Sequence, residues 1–276
     1  MFPVVLERAK DFFRDRETVE GVVARRVLNA PGHDDVDLAD HLIRERRRRT
    51  RMDGSLGGSL ILTAQAAWDL MELGAPTDHA GVVRMAGYLL TQQNLPGRWS
   101  EDGVAGDGFF SPGPRPEPIA PLELPSGTVF RDEDDARFVA SGLVLRTVLR
   151  AGHEERAQVR NHLDGLLSIH AFDPHLAFVV LGALGMAPPR YQERIGTLIG
   201  ETASRQAADG TWPDVTIFHA VDMLFGVPSA AARATIRTAA PHIASLQRES
   251  GAFDTRESEA IALIAVRALD VARTRV

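Results

Sequence analysis

Apolar residues run along this chain in blocks of two alternating kinds. One kind is apolar nearly all round, as in "HLAFVVLGALG" (His175 to Gly185) and "TIFHAVDMLFG" (Thr216 to Gly226). The other carries its apolar residues on one face, as in "DHAGVVRMAGYLLTQQ" (Asp78 to Gln93) and "AAARATIRTAAPHIASLQ" (Ala230 to Gln247). Apolar positions three and four apart give a helix in both cases. A helix apolar on every side belongs inside, and an amphipathic one covers it, so the unit is a pair of helices.

The pairs recur behind a shared punctuation of Gly, an aromatic residue and an acid. Copies stand at "HAFDPHLAFVVLGALG" (His170 to Gly185), "QAADGTWPDVTIFHAVDMLFG" (Gln206 to Gly226) and "QRESGAFDTRESEAIALIAVRAL" (Gln247 to Leu269). Their acids Asp173, Asp214 and Asp254 fall 41 and 40 residues apart, and Asp135 precedes Asp173 by 38. An earlier copy, Asp53 to Gly74, lies about two periods before Asp135. Such pairs cannot bury their apolar faces singly and must stack. Closing the stack leaves no unpaired end, which predicts an all-α fold, an (α/α)6 barrel or toroid of outer and inner helices. A straight solenoid is the alternative, because repetition alone does not show closure. One barrel domain over residues 1–276 is expected. An irregular Pro/Gly-rich stretch at about 100–130 interrupts it, read as a loop over one mouth.

Composition narrows the function. The chain is 44% hydrophobic and 25% charged, as in an ordinary globular protein. Its net charge of -6 argues against nucleic acid as a partner. Having no cysteine, it has no disulfide, no thiolate nucleophile and no Cys-held zinc. The uncharged stretch from Leu176 to Pro189 is too short for a membrane span, so no transmembrane segment is expected. The N-terminus reaches charge too soon for a signal peptide, and a cytoplasmic location follows as the expectation. The basic run Arg44 to Arg51 reads first as a solvated helix end and second as an anion contact.

Chemistry concentrates in "RDEDDARFVASGLVLRTVLRAG" (Arg131 to Gly152). Asp132, Asp134 and Asp135 open an apolar helix, and two readings stand open. Acids suit a helix N-terminus, where they cap backbone N–H groups and meet the helix dipole. Carboxylates this close also cannot all ionise cheaply, which leaves one of them holding a proton. His219 lies on an apolar helix, either as a satisfied core histidine or facing a cavity. The pair around Asp173 in "HAFDPH" reads as a helix end rather than a metal site, and "DDVD" (Asp34 to Asp37) as a polar connection.

"GYLLTQQNLPGRW" (Gly87 to Trp99), "RQAADGTW" (Arg205 to Trp212) and "LQRESGAF" (Leu246 to Phe253) resemble the Q-W repeat of the terpene cyclase and protein prenyltransferase superfamily. In that superfamily, D-x-D-D at the head of an apolar helix resembles the signature of class II terpene cyclases. The resemblance implies proton-initiated cyclisation or isomerisation of an isoprenoid or isoprenyl diphosphate, an isomerase or lyase type of activity. It implies Asp134 as the acid, with Asp132 and Asp135 orienting it. Trp68, Phe109, Phe110, Phe138, Phe218 and His219 become the residues that would line the substrate. No cofactor is implied, though Mg2+ would assist with a diphosphate. Family members generally hold substrate between two helical domains, so a second copy of the chain or a partner domain would complete the cavity. A non-catalytic barrel that binds a lipid or a protein is the alternative, and a glycan-cleaving barrel enzyme with a carboxylate pair is a third reading.

Overall fold

The computed structural model describes residues 2–92, 118–167 and 173–274. Among them are twelve α-helices: α1 (Phe2–Phe13), α2 (Val19–Val27), α3 (Asp35–Arg49), α4 (Leu60–Leu73), α5 (Ala80–Thr91), α6 (Glu133–Arg150), α7 (Ala157–Leu167), α8 (Pro174–Leu184), α9 (Gln192–Ser204), α10 (Ile217–Phe225), α11 (Ala230–Ser245) and α12 (Glu259–Arg273). The even-numbered helices form an inner ring: α2 packs on α4, α4 on α6, α6 on α8, α8 on α10 and α10 on α12. Helix α12 then returns to α2. The ring is closed, which excludes the straight solenoid. Burial follows the two kinds of helix read from the sequence. In α8 every residue from Leu176 to Leu184 is buried, whereas α5 buries one face, through Gly81, Val82, Met85, Ala86 and Leu89.

The Q-W punctuation joins neighbouring repeats. Gln206 donates from Nε2 to the carbonyls of Gly210 (3.0 Å) and of Thr235 in α11 (3.1 Å). Gln247 does the same for Gly251 (3.3 Å) and for Val5 in α1 (2.8 Å), tying the last repeat to the first. Gly210 and Gly251 have φ of 88° and 90°, and each turn brings its glycine against the backbone of the next outer helix. Trp212 and Phe253 are buried beneath these turns. Of the first copy, Gln93 to Trp99 lie outside the described residues. A Cβ at Gly210 would collide with the Thr238 carbonyl in a backbone conformation that L residues rarely adopt. Gly210→Ala should therefore destabilise by more than about 1 kcal/mol, a Tm decrease of several degrees by scanning calorimetry.

The repeat acids make no side-chain cap to the helices they precede, although Asp173 holds the N-cap position of α8. The side-chain caps of α2, α4 and α12 are Thr18, Ser59 and Ser258. Asp53 and Asp254 instead accept N–H bonds inside the preceding turn, from Ser55 and from Arg256 and Ser258. A carboxylate several residues upstream fits the turn's own orphan donors better than the helix's. "DDVD" is not a polar connection but a helix start, with Asp34 in the N-cap position of α3 and Asp35 paired to the buried Arg25.

Residues 100–117 of the irregular stretch lie outside the described residues. Residues 118–130 form a two-stranded antiparallel hairpin, β1 (Leu122–Glu123) with β2 (Val129–Phe130), and these are the only strands among the described residues. It lies across the mouth where the inner helices begin. Thr128 meets the α10 N-cap Thr216, Glu123 pairs with Arg256 before α12 at 2.6 Å, and Glu133 at the start of α6 accepts the N–H groups of Ile119 and Ala120.

Candidate functional site

Beneath the hairpin an axial cavity of about 130 Å3 runs into the barrel. Its walls are mostly apolar, with Val23, Ala64, Leu124, Leu143, Leu263 and Ile264, and Glu20, Gln65 and Asp69 add polar groups where it meets a neighbouring cleft. An open cleft of about 500 Å3 adjoins it between the hairpin and helices α2, α4 and α12. Asp69 borders both spaces. Together they reach the size range of small-molecule sites, about 300–1,000 Å3.

The inner end is charged. Glu72 joins Arg150 and Arg267, and Arg146 stands 3.6 Å from Asp222. Two guanidinium groups stack on Trp68, Arg146 at 4.3 Å and Arg150 at 4.2 Å from the ring centroid. Burial pushes the Glu72 carboxyl up, but Arg267 and Arg150 outweigh it and hold it below its ordinary value. Asp69 goes the other way. Burial raises it to about 7, aided by Glu20 and Glu72, and its Arg46 partner at 2.9 Å offsets only part of that. A carboxyl raised above its unfolded value binds a proton in the folded chain that the unfolded chain has lost. Its contribution is present at acid pH and disappears as pH rises through about 7. Asp69→Asn should thus gain Tm relative to the native chain between pH 5 and pH 8, and a difference that stays flat would contradict this.

The acidic cluster sits elsewhere, at the head of α6. Asp132 is the N-cap, and its side chain accepts the backbone N–H groups of Asp134 (2.9 Å) and Asp135 (3.1 Å). Asp132 and Asp134 are exposed and Asp135 is half-buried. Burial raises the Asp135 carboxyl, with Asp132, Asp173 and Asp134 adding to the effect and His175 opposing it. None of the three borders the axial cavity, which first meets α6 at Leu143. Eight residues of helix separate Leu143 from Asp135, about 12 Å at 1.5 Å per residue.

The other residues singled out in the sequence scatter. Trp68 lines the cavity, but its ring already carries two guanidinium groups. Phe138 is buried and Phe218 half-buried in the packing around α6 and α10, and neither borders the axial cavity. Phe109 and Phe110 lie outside the described residues, as does His170. His219 is buried, with Nε2 3.1 Å from the His175 carbonyl and its ring edge-on to Phe130 and Phe178. A carbonyl only accepts, so Nε2 carries the hydrogen. Burial lowers the pKa of His219 to about 4, which leaves it neutral at pH 7. The basic run ends α3, where cations suit the helix dipole, and only Arg46 turns in to the cleft.

Sequence reading missed Asp69, Glu72, Arg146 and Arg267. The signal was present: charges three or four apart (Asp69 and Glu72, Arg146 and Arg150) inside helices that the repeat assigns to the interior. A buried charge in such a place requires a partner or a task.

No family model matches this sequence, and no curated protein does. The architecture has a counterpart among solved structures: the apo structure of the type II terpene cyclase MstE from Scytonema superposes with a TM-score of 0.58. That match covers 99% of this chain and 98% of the other, at 13% identity. The chain has the fold of a type II terpene cyclase. At this identity the likeness concerns the course of the backbone and assigns no residue a role. Among the described residues no helix is long and apolar enough to cross a membrane, and no three His, Asp or Glu side chains converge as metal ligands.

Proposed function

We propose that this protein is a terpene cyclase-like enzyme that starts the cyclisation or isomerisation of an isoprenoid, or an isoprenyl diphosphate, by protonating it. The observation that carries this reading is the half-buried Asp135 carboxyl, whose proton affinity is raised first by burial and then by Asp132, Asp173 and Asp134 against His175. Asp132 spends a carboxylate oxygen on the N–H groups of Asp134 and Asp135, and Asp134 is exposed, so we assign the acid's role to the half-buried Asp135 in place of Asp134. In this reading Asp135 donates to an alkene carbon presented at the head of α6, outside the axial cavity, and the charges of Asp132 and Asp134 favour its protonated form. The carbocation later loses a proton, so the product is an isomer of the substrate.

A second reading places the acid at Asp69, because that carboxyl borders both the axial cavity and the cleft. Asp132 is then a helix cap, and Glu133 anchors the hairpin. The test is incubation of the purified protein with farnesyl diphosphate, geranylgeranyl diphosphate and squalene, with and without Mg2+, followed by mass spectrometry for isomeric products. Loss of product in Asp135→Asn with retention in Asp69→Asn supports the first reading, and the reverse supports the second. No product from any substrate removes both and leaves a barrel that binds without catalysing.

A further inference from the structure

The inner end of the axial cavity holds a guanidinium that the fold does not satisfy. Arg146 is 7% exposed and lines the cavity. Its Nε has no hydrogen-bond partner. Among the described residues its other nitrogens reach the Met223 thioether at 3.9 Å and the Asp222 carbonyl at 3.3 Å, with the Asp222 carboxylate at 3.6 Å. A guanidinium presents five N–H donors, and leaving them unmade in a dry place is costly, as is a buried cation without close pairing. Glu72 does not relieve Arg146, because its two oxygens are taken by Arg150 and Arg267.

From this geometry we infer that the inner end of the axial cavity binds the anionic head group of a monocarboxylate with an apolar body, through Arg146. The head group's charge follows from the charges around Arg146: with Arg150 and Arg267 it makes three cations against two carboxylates, Glu72 and Asp222, while the cavity's other two carboxyls, Glu20 and Asp69, stand at its outer end where it meets the cleft. One net positive charge matches a monoanion, and a diphosphate would bring excess negative charge against Glu72 and Asp222. The planar fork of Arg146 suits two carboxylate oxygens. The body's class follows from the apolar walls at Val23, Ala64, Leu143 and Leu263. The binding stands apart from the proposed reaction and is measured without turnover.

The experiment titrates the full chain with octanoate, octanol and inorganic diphosphate, using calorimetry and tryptophan fluorescence. Octanoate should bind at least about ten-fold more tightly than octanol. The fluorescence change should vanish in Trp68→Phe, since Trp68 stacks on Arg146. Arg146→Met replaces a poorly paired buried charge by an apolar side chain of similar length, so it should fold and lose at least ten-fold in octanoate affinity. Arg146→Lys should fall between, keeping the charge without the fork. The double variant Arg47→Gln with Arg48→Gln, in the exposed basic run, should bind as the native chain does. Equal affinity for octanoate and octanol overturns the proposal, as does octanoate binding that survives Arg146→Met. Tighter binding of diphosphate overturns the monoanion, and loss of binding in the double variant moves the site to the surface. If Arg146→Met does not fold, the octanoate–octanol ratio and the Trp68→Phe readout still decide.

Discussion

Asp135→Asn should abolish product formation while leaving the fold and ligand binding in place. Asparagine has the shape of the acid but no proton to give to carbon. Positioned acid catalysis contributes roughly 10²–10⁴-fold in many enzymes, so turnover should fall by at least two orders of magnitude. Asp134→Asn should cost less, because Asp134 is exposed and acts on Asp135 through its charge. Asp132→Asn should also cost less, and because asparagine caps a helix about as well as aspartate it should leave stability near the native value. The native rate should decline as pH rises through the elevated titration of Asp135, and Asp134→Asn should shift that decline to lower pH, since removing a neighbouring negative charge lowers the Asp135 pKa. Equal losses in all three variants, or a pH profile unmoved by Asp134→Asn, would contradict these roles.

The second large effect concerns stability. Glu72→Gln should lower stability on the order of 3 kcal/mol, because it leaves Arg150 and Arg267 sharing a confined space without their common carboxylate. Both arginines retain some exposure, 25% and 20% of their side chains, which keeps the loss below that of a fully buried pair. For a chain of this size the expected Tm decrease is roughly 6–12 °C by calorimetry. Changing Glu72 to Gln together with Arg150 to Met should recover part of the loss, since the unpaired charge goes with its partner. Because the folded Glu72 titrates below its ordinary value, its contribution is present at neutral pH and is lost as pH falls through the carboxylate range. A Glu72→Gln chain as stable as the native one at pH 7 would show that the three side chains are not coupled.

The repeat, the two kinds of helix and their inner and outer placement were legible in the sequence because they follow from local rules. Helical periodicity is set by spacing, and a helix as apolar as Leu176 to Leu184 has only an interior to go to. Gln206, Gly210 and Trp212 were readable as structural residues for the same reason, since a turn's needs are met within a few residues. Closure of the ring lay beyond such rules. It depends on the contact of α12 with α2 and on Gln247 reaching Val5, partners more than two hundred residues apart in sequence. The candidate chemistry divides along the same line. The crowding of Asp132, Asp134 and Asp135 is a sequence fact, but the residue that holds the proton depends on Asp173 from the neighbouring helix and on which oxygens the α6 N-terminus occupies. Asp69, Glu72, Arg146 and Arg267 come from three helices and acquire their properties only where the barrel packs them together. Protonation and pairing of buried charges are set by burial and by neighbours in space, and those are quantities of the tertiary structure alone.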